Sequence, residues 1–249
     1  MIAIQGAYAL ADRALDAAVR AAIASRGIPT SIDAARALAG ELHPALMDQR
    51  ARLGADQARL LEEEHPGLFI PPVPDYPAPA LDKLVRRSAG LTPDARLARI
   101  EVYDPDTQDM ATKRVPPYVY PGEEQLLTEM RRRLTAGLGR HARSASRDLV
   151  TATARANGTR WARQLTGAEN CGFCAMLASR GAVYGSDDKA RFTAHDNCDC
   201  TATIVTGDDY EGVDQAAALR DLWTSSTGLA DFTKKYREMR DRNNGFMAA

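Results

Sequence analysis

Apolar residues recur three or four positions apart over most of the chain, which is the pattern of amphipathic α-helices. The spacing predicts helices over residues 7–26, 31–64, 123–165 and 214–240. Gly27 should end the first helix, and Thr30 or Ser31 can cap the second. Inside the second stretch, Pro44 is expected to start a new helix. The third stretch has glycines at 137, 139 and 158, where the helix could break.

A proline-rich segment interrupts the helical pattern, because residues 66–79 hold six of the thirteen prolines. Proline fixes φ and has no backbone donor, so this segment should be an extended connector. Beyond it we predict a short helix over 81–88, a strand over 99–103 and a turn at 104–106. The sequence accordingly divides into an N-terminal helical region (1–65), a proline-rich connector with an irregular region (66–122), and a third region (123–249) that holds the central helix, a cysteine cluster and a C-terminal helix.

The composition narrows the class of protein. A chain of 249 residues is long enough for one or two domains, and an aromatic content of only 6% favours helices packed through small side chains. The 32 basic and 33 acidic residues leave a net charge of −1, so nucleic-acid binding would need a local patch of positive charge.

No apolar run of about 18 residues exists to span a membrane. Charges interrupt the apolar pattern near the N-terminus, so we expect no secretory signal and folding in the cytosol.

All four cysteines lie within residues 171–200, and one histidine lies among them. Cys171 and Cys174 have the two-residue gap that lets both sulfurs of a tight turn face one ion, and Cys198 and Cys200 share one face of an extended segment. With His195 they make five candidate ligands, and a tetrahedral zinc ion needs four. Four thiolates, or three with the histidine, would both satisfy the metal. Disulfides and unliganded thiols are the alternatives.

Structural zinc suits this segment, which has few large apolar residues and several glycines and charges. Burial alone would hardly offset the entropy of ordering it, whereas metal binding can contribute on the order of 10 kcal/mol to folding. Two strand candidates, 182–184 and 201–205, lie in the same region. The expected fold is therefore mainly α, with long helices and a small zinc-stapled α+β module near the C-terminus.

The cluster lacks the patterns of catalytic sites. Zinc deaminases have a glutamate two residues after the metal-binding histidine, where this chain has Asn197. A thioredoxin-like pair needs a βαβ context, which the helix-rich flank does not supply. No phosphate-binding glycine loop or Gly-x-Ser-x-Gly motif occurs. We therefore expect no enzyme and no small-molecule substrate, and keep an enzyme that uses His195 and a cysteine of the cluster as an alternative.

Basic residues concentrate on the predicted central helix. Between residues 131 and 163 there are nine arginines and one acidic residue. The candidates for contact with DNA phosphates or with an acidic partner protein are Arg131, Arg132, Arg133, Arg140, Arg143 and Arg147. Because no aromatic residues are interleaved to stack bases, a merely solvated helix face is the competing interpretation. A zinc-stabilised nucleic-acid-binding module is therefore the first alternative to a structural protein, ahead of an enzyme.

The cysteine region resembles a known family. The segments WAR (161–163), TGA (166–168), CGFCAMLASRG (171–181), YGS (184–186) and AHDNCDC (194–200) are similar to the phage Mu F-like minor capsid (minor head) proteins of tailed phages, especially those of actinobacteriophages. The specific likeness covers residues 160–205. In this family the positions of Cys171, Cys174, His195, Cys198 and Cys200 are Cys/His positions, and the likeness does not say which four bind metal.

The resemblance implies a structural virion protein that acts in head morphogenesis and in genome packaging or ejection. Such a protein is made in the host cytoplasm and is incorporated at the head interior or portal vertex. Its expected partners are the portal protein, the major capsid protein or both, with packaged DNA as a further candidate and no membrane.

Overall fold

The computed structural model describes residues 2–92, 98–104, 109–115, 123–167, 170–185, 192–196 and 198–247. Within these ranges the elements are α1 (Ile2–Arg26), α2 (Ile32–Glu64), α3 (Pro79–Ser88), β1 (Ala98–Asp104), β2 (Asp109–Val115), α4 (Glu123–Ala156), β3 (Arg160–Gln164), α5 (Gly172–Ala178), β4 (Thr201–Val205), α6 (Val213–Thr224) and α7 (Leu229–Met247). The mainly α fold with a small α+β part near the C-terminus is confirmed. None of the described helices has an apolar stretch long enough to cross a membrane.

Helix α1 ends and helix α2 begins where the sequence predicts, but the prediction of a new helix at Pro44 is wrong. Gly27 adopts a φ of 69° after α1, and Ser31 caps α2 by accepting a hydrogen bond from the Ala34 amide. Helix α2 then continues through Pro44 to Glu64. A proline inside a helix costs about 3 kcal/mol locally. Burial of apolar side chains on both sides of it, such as Leu42 and Leu46, outweighs that cost.

The central helix is shorter than predicted, because α4 ends at Ala156. Gly158 follows with a φ of 63°, a left-handed conformation that favours glycine. Residues 160–164, predicted as helix, form strand β3 instead. This strand pairs antiparallel with β4, with Trp161 opposite Ile204. The pairing places the WAR segment beside the cysteine cluster.

Other differences concern short elements. The strand predicted at 99–103 is confirmed as β1, but its antiparallel partner β2 was not predicted. The turn predicted at 104–106 lies mostly outside the described residues. Of the strand predicted at 182–184, only a single bridge from Tyr184 to Trp161 forms. The C-terminal helix is two helices, because residues 225–228 separate α6 from α7.

The chain divides into two compact units. The first comprises Met1–Ala9, Arg50–Pro74 and Arg140–Ala249, and the second comprises Leu10–Gln49 and Asp75–Gly139. In the second unit, Arg131 of α4 pairs with Asp16 of α1. In the first unit, the beginning of the proline-rich connector packs on its own chain, where Ile70 and Val73 cover the core around Trp161. The three regions drawn from the sequence stay a prediction.

Candidate metal centre

Cys171 and Cys174 lie at the start of the short helix α5. Cys171 is the N-cap residue, and its Sγ accepts a hydrogen bond from the Cys174 amide at 3.4 Å. This cap directs the first thiol back over the first helical turn, beside the second thiol. Gly172 between them lies against α7, where a Cβ would come within 2.4 Å of Thr233 Oγ1. The close approach ties the thiol-bearing turn to the C-terminal helix.

Cys198 and Cys200 enter the cluster from the segment that leads into β4. The Sγ atom of Cys198 lies 3.3 Å from that of Cys174 and 3.3 Å from that of Cys200, and the remaining pair is 3.5 Å apart. All three side chains are buried. The two-residue spacing does place both thiols on one side of an extended segment, as the sequence predicts.

His195 reaches the cluster from its exposed side. Its Nδ1 atom lies 3.3 Å from Cys171 Sγ, and its ring packs edge-on against Phe173. The five candidates thus form two overlapping groups with the spacing of metal ligands. One group is Cys171, Cys174 and His195, and the other is Cys174, Cys198 and Cys200.

The donor set fits a soft or borderline divalent ion. Ligand atoms bound at about 2.3 Å around a tetrahedral zinc ion lie roughly 3.8 Å apart, which is close to the sulfur separations among Cys174, Cys198 and Cys200. All four cysteines are free thiols, so the disulfide alternative is not what the structure contains. The cluster could therefore hold a metal ion, and zinc is the metal that sequence reasoning assigns to it.

The crowded thiols perturb each other's acidity. Hydrogen bonds with Cys171, Cys198 and Cys200 raise the pKa of the Cys174 thiol, whereas hydrogen bonds with Cys171, Cys174 and Cys200 lower the pKa of Cys198. The reason is that a thiolate at one position is stabilised when its neighbours stay protonated and donate to it. The lowered pKa of Cys198 favours its thiolate, which is the form in which a cysteine binds metal.

Two arginines of α4 hold the backbone around the second cysteine pair. Arg147 is buried, and it donates from Nε to the Cys200 carbonyl at 2.9 Å and from Nη2 to the Cys198 carbonyl. Arg143 donates to the same Cys198 carbonyl and forms an ion pair with Asp199 at 3.1 Å. These contacts satisfy carbonyls next to the thiols and fix the path of the chain into β4.

A third arginine, Arg163 of β3, contacts the thiols directly. Its Nη1 lies 3.1 Å from Cys200 Sγ and 3.5 Å from Cys174 Sγ. Its guanidinium stacks 3.8 Å from the ring centre of Phe192, which in turn packs against Trp161. Sequence reasoning did not single out Arg163 or Phe192 for this site. The only indication in the sequence that Arg163 belongs to the site was that the WAR segment (161–163) is part of the resemblance to phage proteins.

The remaining arginines predicted to bind DNA or a partner also have partners within the chain. Arg131 pairs with Asp16, Arg132 and Arg133 pair with Glu129, and Arg140 pairs with Asp196. Arg143 and Arg147 lie beneath the cysteine cluster, at 6% and 2% exposure. The structure therefore divides the predicted face into two buried residues that support the candidate metal site and four more accessible ones.

A buried histidine near this site should make stability depend on pH. Burial, together with the adjacent charge of Arg140, lowers the pKa of His141 to about 4. An unfolded chain would bind a proton there near pH 6.5, whereas the folded chain stays neutral until about pH 4. Protonation therefore favours the unfolded chain. The unfolding free energy is highest above pH 6.5 and falls by up to about 3 kcal/mol as the pH drops towards 4.

We expect His141→Gln to reduce the fall in unfolding free energy between pH 7 and pH 4.5, as measured by urea titration at each pH. His43→Gln, which changes an exposed histidine of α2, is the matched control and should leave the fall unchanged. Acid release of a metal would affect both variants alike, so the comparison isolates His141. Equal acid sensitivity of the two variants would contradict this prediction.

The comparisons with known proteins give a family but no close relative. No curated protein and no solved structure matches the chain. The model of the family described as VG15 protein matches residues 80–226, which is more than half of the chain and includes all five candidate ligands. This match confirms that the chain resembles phage proteins, whereas its membership of the phage Mu F-like group stays a prediction. The chain therefore belongs to the VG15 protein family, which makes it a phage protein associated with the virion.

Proposed function

We propose that this protein is a structural minor capsid protein of a tailed bacteriophage, in which one zinc ion staples the cysteine module. This module is defined as residues 160–205 with α6 and α7. The observation that carries the proposal is the convergence of four thiols from two separate segments, three of them buried, in a member of a phage family. We place the protein at the head interior or portal vertex, where it would act in head assembly and in DNA packaging or delivery.

The position of the thiols supports a mechanical role for the metal. One pair lies at the start of α5, which packs against α6 and α7 around Phe232. The other pair leads into β4, which pairs with β3. An ion that binds both pairs would join the helical part of the module to its small sheet. Such a link resists forces between neighbouring subunits better than the small apolar core alone.

An enzyme is the second candidate, because Cys171 Sγ lies 3.3 Å from His195 Nδ1, a distance typical of a nucleophile and its base. The same thiol, however, also accepts a hydrogen bond from the Cys174 amide at 3.4 Å and belongs to the candidate ligand set. A thiol that serves as a metal ligand is not free to attack a substrate. We therefore favour the structural role, in which no coordination position remains open to water.

The proposed partners follow from the proposed location. A minor component of the head or portal vertex would contact the portal protein, the major capsid protein or both, and would meet packaged DNA. The paired but accessible arginines 131, 132, 133 and 140 are candidates for such contacts. Assembly would take place in the host cytoplasm before the protein becomes part of the virion.

Purified particles test the proposed location. We expect mass spectrometry of phage particles banded on a density gradient to detect this chain at far lower copy number than the major capsid protein. Gentle disruption of the particles should release it with the head and portal fraction rather than with the tails. Abundant chain in the infected-cell lysate with none in the purified particles would contradict the proposal.

A further inference from the structure

Two buried arginines next to the cysteine cluster have no carboxylate partner. Arg147 and Arg163 are 2% and 3% exposed, and neither forms an ion pair with an acidic residue in the part of the chain that the structure describes. Asp148 lies within electrostatic range of Arg147, but its strongest charged neighbour is Arg50. Their neighbour Arg143 differs, because Asp199 balances its charge at 3.1 Å. Burial of an unbalanced charge is strongly unfavourable. Some other negative charge should therefore lie near these two guanidinium groups.

The contacts of the two groups show where that charge must be. Arg147 reaches two carbonyls and the ring of Phe192, and Arg163 reaches the Thr193 carbonyl and the same ring. Carbonyls and rings supply partial charges only. The Nε atom of Arg163 is buried without a hydrogen-bond partner among the described residues, so hydrogen bonds satisfy only part of this guanidinium group. Its closest groups of potential full charge are the sulfurs of Cys174 and Cys200.

Given the proposed metal staple, on which this inference rests, we infer that a divalent ion is bound by all four thiolates and that Arg147 and Arg163 balance the net charge of the complex. Four thiolates and one divalent ion carry a charge of −2, which two guanidinium groups neutralise. Three thiolates and an imidazole carry −1, which would leave one buried guanidinium unbalanced. His195 accordingly lies outside the ligand set and acts as a hydrogen-bond partner of Cys171.

Cys171 and His195 are the two candidates for the fourth ligand, and their burial agrees with this assignment. Cys171 is half-buried and shares its turn with Cys174, whereas His195 is exposed. Charge balance and burial thus both favour the Cys171 thiolate over the His195 imidazole as the fourth ligand.

Zinc K-edge X-ray absorption of the unaltered full chain, loaded with zinc alone, tests the ligand set. We expect four sulfur neighbours at about 2.3 Å and no nitrogen shell. Three sulfurs and one nitrogen would overturn the inference while leaving the proposed staple intact. A chain that binds no zinc would overturn the staple and the inference with it. His195→Ala should retain one zinc with four sulfurs, and loss of the metal from this variant would overturn the inference.

Substitution of Arg163 tests the charge balance. Removal of such an outer partner typically lowers metal affinity about 10–100-fold, and we expect a loss in this range for Arg163→Met, measured by competition with a chromophoric zinc chelator. Arg163→Lys, which keeps the charge, should recover most of the affinity. The matched control is Arg160→Met on the same strand, since Arg160 is exposed. Equal affinity of the Arg163→Met and Arg160→Met chains would overturn the inference, and the absorption experiment on the unaltered chain remains decisive if Arg163→Met does not fold.

Discussion

Cys200→Ser is expected to abolish tight zinc binding and to unfold the cysteine module. Cys200 is completely buried and lies within 3.5 Å of two other thiols, so its loss removes a central residue of the proposed ligand set. Structural zinc contributes on the order of 10 kcal/mol to folding, which is comparable with the whole stability of a typical domain. Hydrogen exchange followed by mass spectrometry should show loss of protection in β3, β4 and α5.

A matched control distinguishes the effect of losing the metal from the effect of introducing a buried hydroxyl group. Ala178→Ser places the same polar group at a fully buried position of α5 but leaves all four thiols in place. It should cost about 1–3 kcal/mol and retain one zinc per chain. Chelation of the unaltered chain should reproduce the exchange pattern of Cys200→Ser, and readdition of zinc should reverse it. Native-like protection in Cys200→Ser would show that the module does not depend on a metal.

Arg147→Met is expected to cause the second-largest loss of stability, about 3–5 kcal/mol, measured by denaturant titration. The substitution removes the donors to the carbonyls of two candidate metal ligands and one of the two charges proposed to balance the metal complex. Methionine fills similar space, so the loss reports the missing interactions rather than a cavity.

The control for Arg147 is Arg132→Met on the same helix. Arg132 pairs with Glu129 at the surface, where ion pairs contribute at most about 1 kcal/mol. We expect Arg132→Met to be the milder change in stability. Equal, small losses for both variants would mean that Arg147 does not support the cysteine segment.

Helices with a strong apolar period are predictable from the sequence because their burial pattern is local. The C-terminal end of α1 and the cap of α2 follow from Gly27 and Ser31 alone, whereas the start of α1 at Ile2 lies before the predicted residue 7. The continuation of α2 through Pro44 was not predictable, because it depends on the burial of Leu42 and Leu46, which the residues next to the proline do not reveal. Strand β3 was not predictable for a similar reason, because its partner β4 lies more than thirty residues further along the chain.

The candidate ligands could be predicted because thiol spacing carries its own chemical meaning. The roles of the arginines could not, because the sequence shows a basic helix without showing which of its faces is buried. Arg143 and Arg147 are on the helix face beneath the cysteines, whereas Arg132 is exposed. The contribution of Arg163 depends on the β3–β4 pairing, which directs its side chain towards Cys200.

The central claim is that the cysteine cluster binds one metal ion and is not a set of unliganded thiols. Elemental analysis of the full-length chain, purified under reducing conditions without added metal or chelator, tests it most directly. The account predicts one zinc per chain, retained through gel filtration and released together with loss of structure on chelation. Protein that is folded and free of bound metal under these conditions would contradict the account.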